Sequence, residues 1–153
     1  GEAGCEVVPS QANFVFGRSP RAAWLADALA GLGIGIRTFP SRPSLSDAIR
    51  IGCPTDGADV ARTCEALATA SGPDVVLLDG VPEPRGLSRP CLVRPRGDLF
   101  VAGRRAWMLT RTAEGVAAAR AAGIVPIAVD KDLLSAGAAR VLSDGSQLAG
   151  LLP

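Results

Sequence analysis

The chain has 153 residues, of which 16 are basic and 15 are acidic, so that its formal net charge at pH 7 is +1. This length suits one ordinary domain or two very small ones. The balanced charge gives no electrostatic basis for binding nucleic acid or an anionic membrane surface. Because the sequence has no histidine, it excludes serine–histidine and cysteine–histidine catalysis and histidine metal sites. No apolar run approaches the ~20 residues of a membrane-spanning helix, so we predict neither nucleic-acid nor membrane partners.

The cysteines indicate a reducing compartment. Cys5, Cys53, Cys64 and Cys91 are scattered, with no C-x-x-C pair among them. This spacing does not favour a zinc site. We also find no basic segment followed by an apolar core at the N-terminus, as a signal peptide would have. We predict a cytoplasmic protein that uses reduced cysteines as small core residues.

The first half of the chain is predicted to alternate short strands with two helices. Ser19 and Pro20 are typical of a helix start, with serine as N-cap and proline at the first helical position. Thr55 and Asp56 have the same capping role for the second helix, whose predicted apolar face contains Val60, Cys64 and Leu67. In chain order the predicted elements are strands at 5–8 and 13–16, a helix ending near 31, strands at 34–37 and 48–53, and a helix after 56. This order suggests a small α+β layer.

Arg50 is an unusual residue within the strand predicted over residues 48–53. It shares one face of that strand with small residues, while isoleucines occupy the opposite face. A fixed positive charge in a partly dry place needs an anion or a carboxylate nearby. We therefore predict that Arg50 belongs to a substrate-anion site, the alternative being an ordinary surface ion pair.

The segment Ser71-Gly72-Pro73 is the predicted domain boundary, and the pattern changes after it. Residues 75–78 form a continuous apolar run, which is typical of a strand buried on both faces of a parallel sheet. Further strands are predicted at 99–102, 107–109, 124–129 and 138–142, with a helix from Thr112 to Gly123 and a short final helix. The predicted class is thus α/β, with a small α+β domain over residues 1–72 and a Rossmann-like parallel domain over residues 73–153.

Three motifs of the first half occur in a recognisable order and spacing. They are Ser10-Gln11-Ala12-Asn13-Phe14, Gly33-Ile34-Gly35-Ile36-Arg37 and Ser44-Leu45-Ser46-Asp47-Ala48-Ile49-Arg50-Ile51. Together they resemble the C-terminal small domain of histidinol-phosphate aminotransferases, which are fold-type I enzymes dependent on pyridoxal phosphate. A related phosphothreonine decarboxylase shares a weaker version. The resemblance implies that Arg37 and Arg50 bind the carboxylate or phosphate of a small anionic substrate and that Asn13 helps to shape the same region.

The same resemblance implies that essential parts lie outside this chain. The large domain holding the cofactor and its Schiff-base lysine would be a missing N-terminal segment or a companion chain, and the complete enzyme would be a homodimer acting in histidine biosynthesis. Lys131, the only lysine, lies outside the resemblance. We therefore expect no catalytic residue here and no activity from this chain alone. One departure is Pro54, where the family usually has glycine, which changes the turn after the strand.

The second half resembles haloacid-dehalogenase-like phosphatases. Residues 75–81 are similar to their opening strand, and residues 115–124 with 136–138 are similar to their closing segments. The position of the nucleophile holds Leu77, however, and the acidic metal-binding pair falls at Arg111 and Gly115. A carboxylate nucleophile and a hard-cation site are both indispensable to that reaction, so we expect a degenerate, inactive domain.

The sequence leaves open the role of one segment in the second half and the function of the whole chain. Thr110, Arg111 and Thr112 precede a predicted helix and could bind a phosphate through backbone N–H groups. The alternative for these three residues is a plain helix cap with a solvated arginine. For the whole chain, the alternatives to an aminotransferase portion are a non-enzymatic interaction module and a phosphatase that uses a displaced nucleophile such as Asp79.

Overall fold

The computed structural model describes residues 5–94, 99, 101 and 103–153. Within these residues the chain forms two β-sheets and three α-helices. The strands are β1 Glu6–Val8, β2 Phe14–Arg18, β3 Arg37–Thr38, β4 Ala48–Gly52, β5 Val75–Asp79, β6 Cys91–Val93, β7 Ala106–Thr110, β8 Val125–Ala128 and β9 Arg140–Val141. The helices are α1 Ala22–Gly31, α2 Gly57–Ser71 and α3 Ala113–Ala121, with short 3₁₀ helices at Pro43–Leu45, Lys131–Leu134 and Gly145–Leu151.

The first sheet has four antiparallel strands in the order β1-β2-β4-β3. Its register aligns Val8, Phe16, Arg50 and Arg37 in one row across the four strands. Directly paired residues of neighbouring strands project to the same side of a sheet. These four side chains therefore share one face. The prediction of a strand around Arg50 is confirmed, whereas the strand predicted at 34–37 is a two-residue strand that begins only at Arg37.

The second sheet has five parallel strands in the order β6-β5-β7-β8-β9, with helices packed against it. The predicted α/β class is confirmed. Strands β7 and β8 are fully buried, as are the first four residues of β5, which explains their continuous apolar sequences. The sheet order reverses between β5 and β7, and such reversal points are where open α/β sheets bind ligands. Strand β6 was not predicted, and the strand predicted at 99–102 falls partly outside the described residues.

A hydrophobic cluster connects the two halves of the chain. Trp24 of α1 packs against Trp107 of β7 with ring centroids 4.7 Å apart. Their indole N–H groups donate to the carbonyl oxygens of Ala70 at 2.9 Å and Thr69 at 2.7 Å, at the end of α2. The predicted boundary at Gly72 separates the two sheets, but Ile49 of the first sheet belongs to the same buried cluster as the two tryptophans.

Two details of the helices differ from the predictions. Helix α1 begins at Ala22 after Arg21 rather than at Pro20, and the Ser19 hydroxyl accepts from the Arg21 N–H in a local turn. In α2 the fully buried residues are Ala66, Thr69 and Ala70, near the place where both tryptophan N–H groups donate to the helix backbone. Of the predicted apolar face, Leu67 is partly buried against the core, whereas Val60 and Cys64 are exposed. Asp56 caps α2 as predicted. In the described part of the chain, no helix has the length and apolar character needed to cross a membrane.

Candidate anion-binding site

Arg37 and Arg50, predicted from sequence to act together, are direct neighbours in the structure. Strand β3 runs antiparallel to β4 and places Arg37 opposite Arg50. The two arginines and the neighbouring Gly35, Ile36 and Gly52 line a shallow cavity of about 270 Å³. Gly52 ends β4 and Gly35 precedes β3, and a β-carbon built at either position would meet no atom within 4 Å, so the space beside the two arginines is open. The structure therefore offers one open place to which both positive charges are close.

Aromatic rings support both guanidinium groups. The Arg50 guanidinium carbon lies 4.2 Å from the centroid of the Phe14 ring, and that of Arg37 lies 5.7 Å from the centroid of the Phe39 ring. Phe39 in turn packs against Phe16, with centroids 6.2 Å apart. Cation–π contacts of this kind hold a guanidinium plane without neutralising its charge. Both guanidinium groups are therefore positioned by neutral aromatic rings.

Neither arginine has an ion-pair partner among the residues that the structure describes. Like charges placed directly opposite each other on a sheet destabilise it. An anion bound between Arg37 and Arg50 would remove this repulsion and accept hydrogen bonds from both guanidinium groups. Carboxylate and phosphate match the planar donor fork of arginine. The pair is thus chemically suited to small anions of these two classes.

Asn13 is placed near this cluster but does not line its cavity. Its side chain is exposed, and its backbone carbonyl accepts a hydrogen bond of 2.9 Å from the Cys53 N–H. It immediately precedes Phe14, whose ring contacts Arg50. Its predicted part in shaping the site stays a prediction. Phe14 belongs to one of the three sequence motifs, but neither Phe14 nor Phe39 was singled out by sequence as a site residue.

A second polar cluster occupies the carboxyl end of β5 and β7, at the reversal point of the parallel sheet. The Asp79 Oδ2 atom accepts hydrogen bonds from the Thr110 hydroxyl at 2.6 Å and the Thr112 hydroxyl at 3.2 Å. Its Oδ1 atom accepts from Arg94 at 3.2 Å. The Asp79 and Arg94 side chains are each only 17% exposed. Both carboxylate oxygens are therefore engaged by groups of the protein itself.

The predicted phosphate site consists of Thr110, Arg111 and Thr112. The hydroxyl groups of Thr110 and Thr112 both donate to the Asp79 carboxylate in this network. The Thr112 hydroxyl caps α3 by accepting from the Gly115 N–H at 3.0 Å. The Asp79 carboxylate is thereby held beside the first turn of α3, where the helix dipole favours negative charge. The Arg111 side chain is exposed and makes no hydrogen bond or ion pair with a member of this network among the described residues. Leu77, at the position where the phosphatase resemblance would place a nucleophile, is buried in the core at 2% exposure.

The residues present do not by themselves fit pyridoxal phosphate. The resemblance requires a lysine amine, and Lys131 is exposed in the 3₁₀ helix after β8 rather than at the cavity of Arg37 and Arg50. Among the described residues there is also no group of three or more acidic or cysteine side chains that could hold a metal ion.

No family model, no curated protein and no solved structure matches this chain.

Proposed function

We propose that this chain is the C-terminal portion of an aminotransferase resembling histidinol-phosphate transaminases, in which Arg37 and Arg50 bind the anionic group of a small amino-acid or phosphate substrate. The observation that carries the proposal is the pairing of two uncompensated guanidinium groups across β3 and β4, each held over a phenylalanine ring. This arrangement is unfavourable without an anion and favourable with one.

Under this proposal, the chain contributes residues that bind the substrate, and a separate large domain contributes the cofactor site. Arg37 and Arg50 orient the substrate by its anionic end, and Phe14 and Phe39 fix the planes of the two guanidinium groups. Pyridoxal phosphate would supply the electron-withdrawing chemistry of transamination, and a large domain, as a further segment or a companion chain, would hold it together with its lysine. The chain alone is then inactive, and the complete enzyme is a homodimer. The four scattered cysteines of the sequence, which we predict to be reduced, suit a cytoplasmic location.

The anion site is tested on this chain with inorganic phosphate and histidinol phosphate as ligands. We expect backbone amide shifts at Arg37, Arg50 and Gly52 in NMR titrations. The double variant Arg37→Gln/Arg50→Gln should weaken binding at least about tenfold, because each charged hydrogen-bond partner contributes on the order of 1.5 kcal/mol or more. The matched control is Arg42→Gln. Arg42 is an exposed arginine in the connection between β3 and β4, and it does not line the cavity. Equal binding by the double variant would contradict the site.

The aminotransferase assignment is tested by adding the large domain of a histidinol-phosphate transaminase as a second chain. We expect the visible absorbance of bound pyridoxal phosphate and a measurable turnover. Turnover should fall about a hundredfold in Arg50→Ala, since substrate positioning is lost together with its binding energy. Normal turnover in Arg50→Ala would overturn the assignment, whereas loss of anion binding without any turnover would reject the enzyme and keep the anion site.

A non-enzymatic interaction module is the second candidate, and the outer face of the antiparallel sheet favours it. Val8 and the three phenylalanines 14, 16 and 39 lie on or beside this face, and Val8 is 47% exposed. Under this second proposal the chain forms a stable oligomer without cofactor. Light scattering that shows a dimer dissociated by Val8→Glu would favour it over the enzyme assignment.

A further inference from the structure

A second cavity, separate from that of Arg37 and Arg50, lies at the amino end of β7, whereas Asp79 lies at the carboxyl end of β5. Its volume is about 690 Å³, within the range of small-molecule sites. It is enclosed by the middle of α2, the segment after α1, the residues leading into β7 and the carboxyl end of α3. Four separate segments of the chain thus converge on it.

The charge around this cavity is strongly positive. Arg62, Arg104, Arg105 and Arg120 line it, and Glu65 is the acidic residue among the described lining side chains. Arg105 is neutralised by Asp74, with its Nη2 atom 2.9 Å from the carboxylate. The other three arginines form no ion pair with any residue that the structure describes.

Two of these three arginines, Arg62 and Arg120, donate hydrogen bonds to backbone carbonyl groups. Arg62 donates to the Leu32 carbonyl at 3.4 Å, and Arg120 donates to the Gly137 carbonyl at 2.9 Å. These carbonyl bonds position the guanidinium groups but leave their charges uncompensated. Several uncompensated charges around one concave space raise the local concentration of anions.

The remaining wall of the cavity is apolar. Leu32 and Ile34 extend from the main core cluster, and Leu99 and Val101 extend from the second cluster under α3. A simple inorganic anion would leave this surface in contact with water. A ligand that carries both a negative group and an apolar body would use both kinds of surface.

We propose that this cavity binds a small organic anion, in which a carboxylate or phosphate is joined to an apolar ring or short chain. The anionic group lies against Arg62 and Arg104, and the apolar body lies against Leu99 and Val101. This site shares no lining residue with the cavity of Arg37 and Arg50. It stands independently of the proposed aminotransferase role.

The test is a fluorescence titration of the full chain with 8-anilinonaphthalene-1-sulfonate, an apolar ring system that carries one negative group. We expect one saturable site, and amide shifts in NMR spectra confined to residues near Arg62, Val101 and Ala122. The variant Arg62→Gln/Arg104→Gln should raise the dissociation constant at least about tenfold. The neutral analogue N-phenyl-1-naphthylamine should bind at least about tenfold more weakly than the anion.

Two controls keep the result specific. Arg85→Gln removes an exposed arginine that does not line the cavity, and Arg37→Gln/Arg50→Gln disables the other cluster, so both variants should bind the probe as the parent does. Displacement of the probe by phenyl phosphate or by benzoate identifies the preferred anionic group, and displacement by neither overturns the proposal. Equal affinity for the neutral analogue, an unchanged Arg62→Gln/Arg104→Gln variant, or amide shifts spread over the whole chain would also overturn it.

Discussion

Gly115 shows how one residue permits the polar cluster at the carboxyl edge of the parallel sheet. A β-carbon built at this position would overlap the Thr110 hydroxyl oxygen and the Asp79 carboxylate oxygen, far inside van der Waals contact. The first turn of α3 can therefore approach these two side chains only because residue 115 has no side chain. In the phosphatase resemblance this position holds an acidic residue, which could not be accommodated beside Asp79 in this arrangement.

We predict that Gly115→Ala lowers the free energy of unfolding by about 2–4 kcal/mol, because it overpacks the helix start and breaks partly buried hydrogen bonds. Urea unfolding followed by far-ultraviolet circular dichroism measures this change. Gly57→Ala is the matched control, since a β-carbon there meets no atom within 4 Å. It lies at the first position of α2, so we expect a slight gain in stability of at most about 1 kcal/mol. Equal effects of the two substitutions would contradict the crowding argument at Gly115.

At the scale of elements, Asp74 and Arg105 join the beginnings of β5 and β7. The Asp74 N–H donates to the Arg105 carbonyl at 2.7 Å, and the Arg105 N–H donates to the Asp74 carboxylate at 2.9 Å. The Arg105 guanidinium also donates through its Nη2 atom to the Asp74 Oδ1 atom at 2.9 Å. The hydrogen bond from the Arg105 guanidinium, followed by that from the Arg105 backbone N–H, holds the pKa of the Asp74 carboxyl below its ordinary value. The pair thereby stabilises the alignment of the two central strands when Asp74 is ionised.

We predict that Asp74→Asn lowers the free energy of unfolding at pH 7 by at most about 1 kcal/mol, because the side chains are 40% and 49% exposed and solvent screens them. The folded pKa of Asp74 is depressed, so its contribution is present above the ordinary aspartate pKa of about 3.9 and is lost as the pH falls through the lower folded value. The difference between parent and variant should therefore shrink below about pH 4. Glu83→Gln, an equal charge change at an exposed loop residue, serves as the control. A difference that stays constant into acid would be inconsistent with this linkage.

For the whole molecule, the contact between Trp24 and Trp107 makes the two halves share a core. Both indole N–H groups bond to the end of α2, and Arg21 donates to the carbonyls of Ser71 and Leu151. Burial lowers the pKa of the Arg21 guanidinium. The beginning of α1, the end of α2 and the C-terminal 3₁₀ helix are therefore tied to one another across the predicted boundary at Gly72.

We predict that the chain unfolds in one cooperative transition despite its two sheets. The only two tryptophans are Trp24 and Trp107, so their fluorescence reports the shared core, while circular dichroism reports both sheets. Coincident urea midpoints from the two signals are expected. Trp24→Phe should lower the common midpoint, because the Ala70 carbonyl loses its donor, without separating the two signals. Two distinct midpoints in the parent chain would instead indicate two independent domains.

Local sequence determined the features that depend on neighbouring residues. The apolar run at 75–78 required a buried parallel strand, and Asp56 and Thr112 marked the starts of α2 and α3 because their side chains can accept from nearby backbone N–H groups. The alternation around Arg50 likewise indicated its strand. Local patterns were less successful for the buried face of α2. Contacts with Trp24 and Trp107, which are distant in sequence, favour burial of the end of that helix instead.

Tertiary structure decided which of these residues meet. Arg37 and Arg50 are 13 positions apart and become direct partners only through the register of β3 with β4, which local sequence leaves open. Asp79 meets Thr110 and Thr112 only because β5 and β7 are adjacent in the sheet, although β6 lies between them in sequence. The sequence by itself thus determined the α/β class and the residue types suited to anions. Long-range strand pairing determined the geometry that brings those residues together.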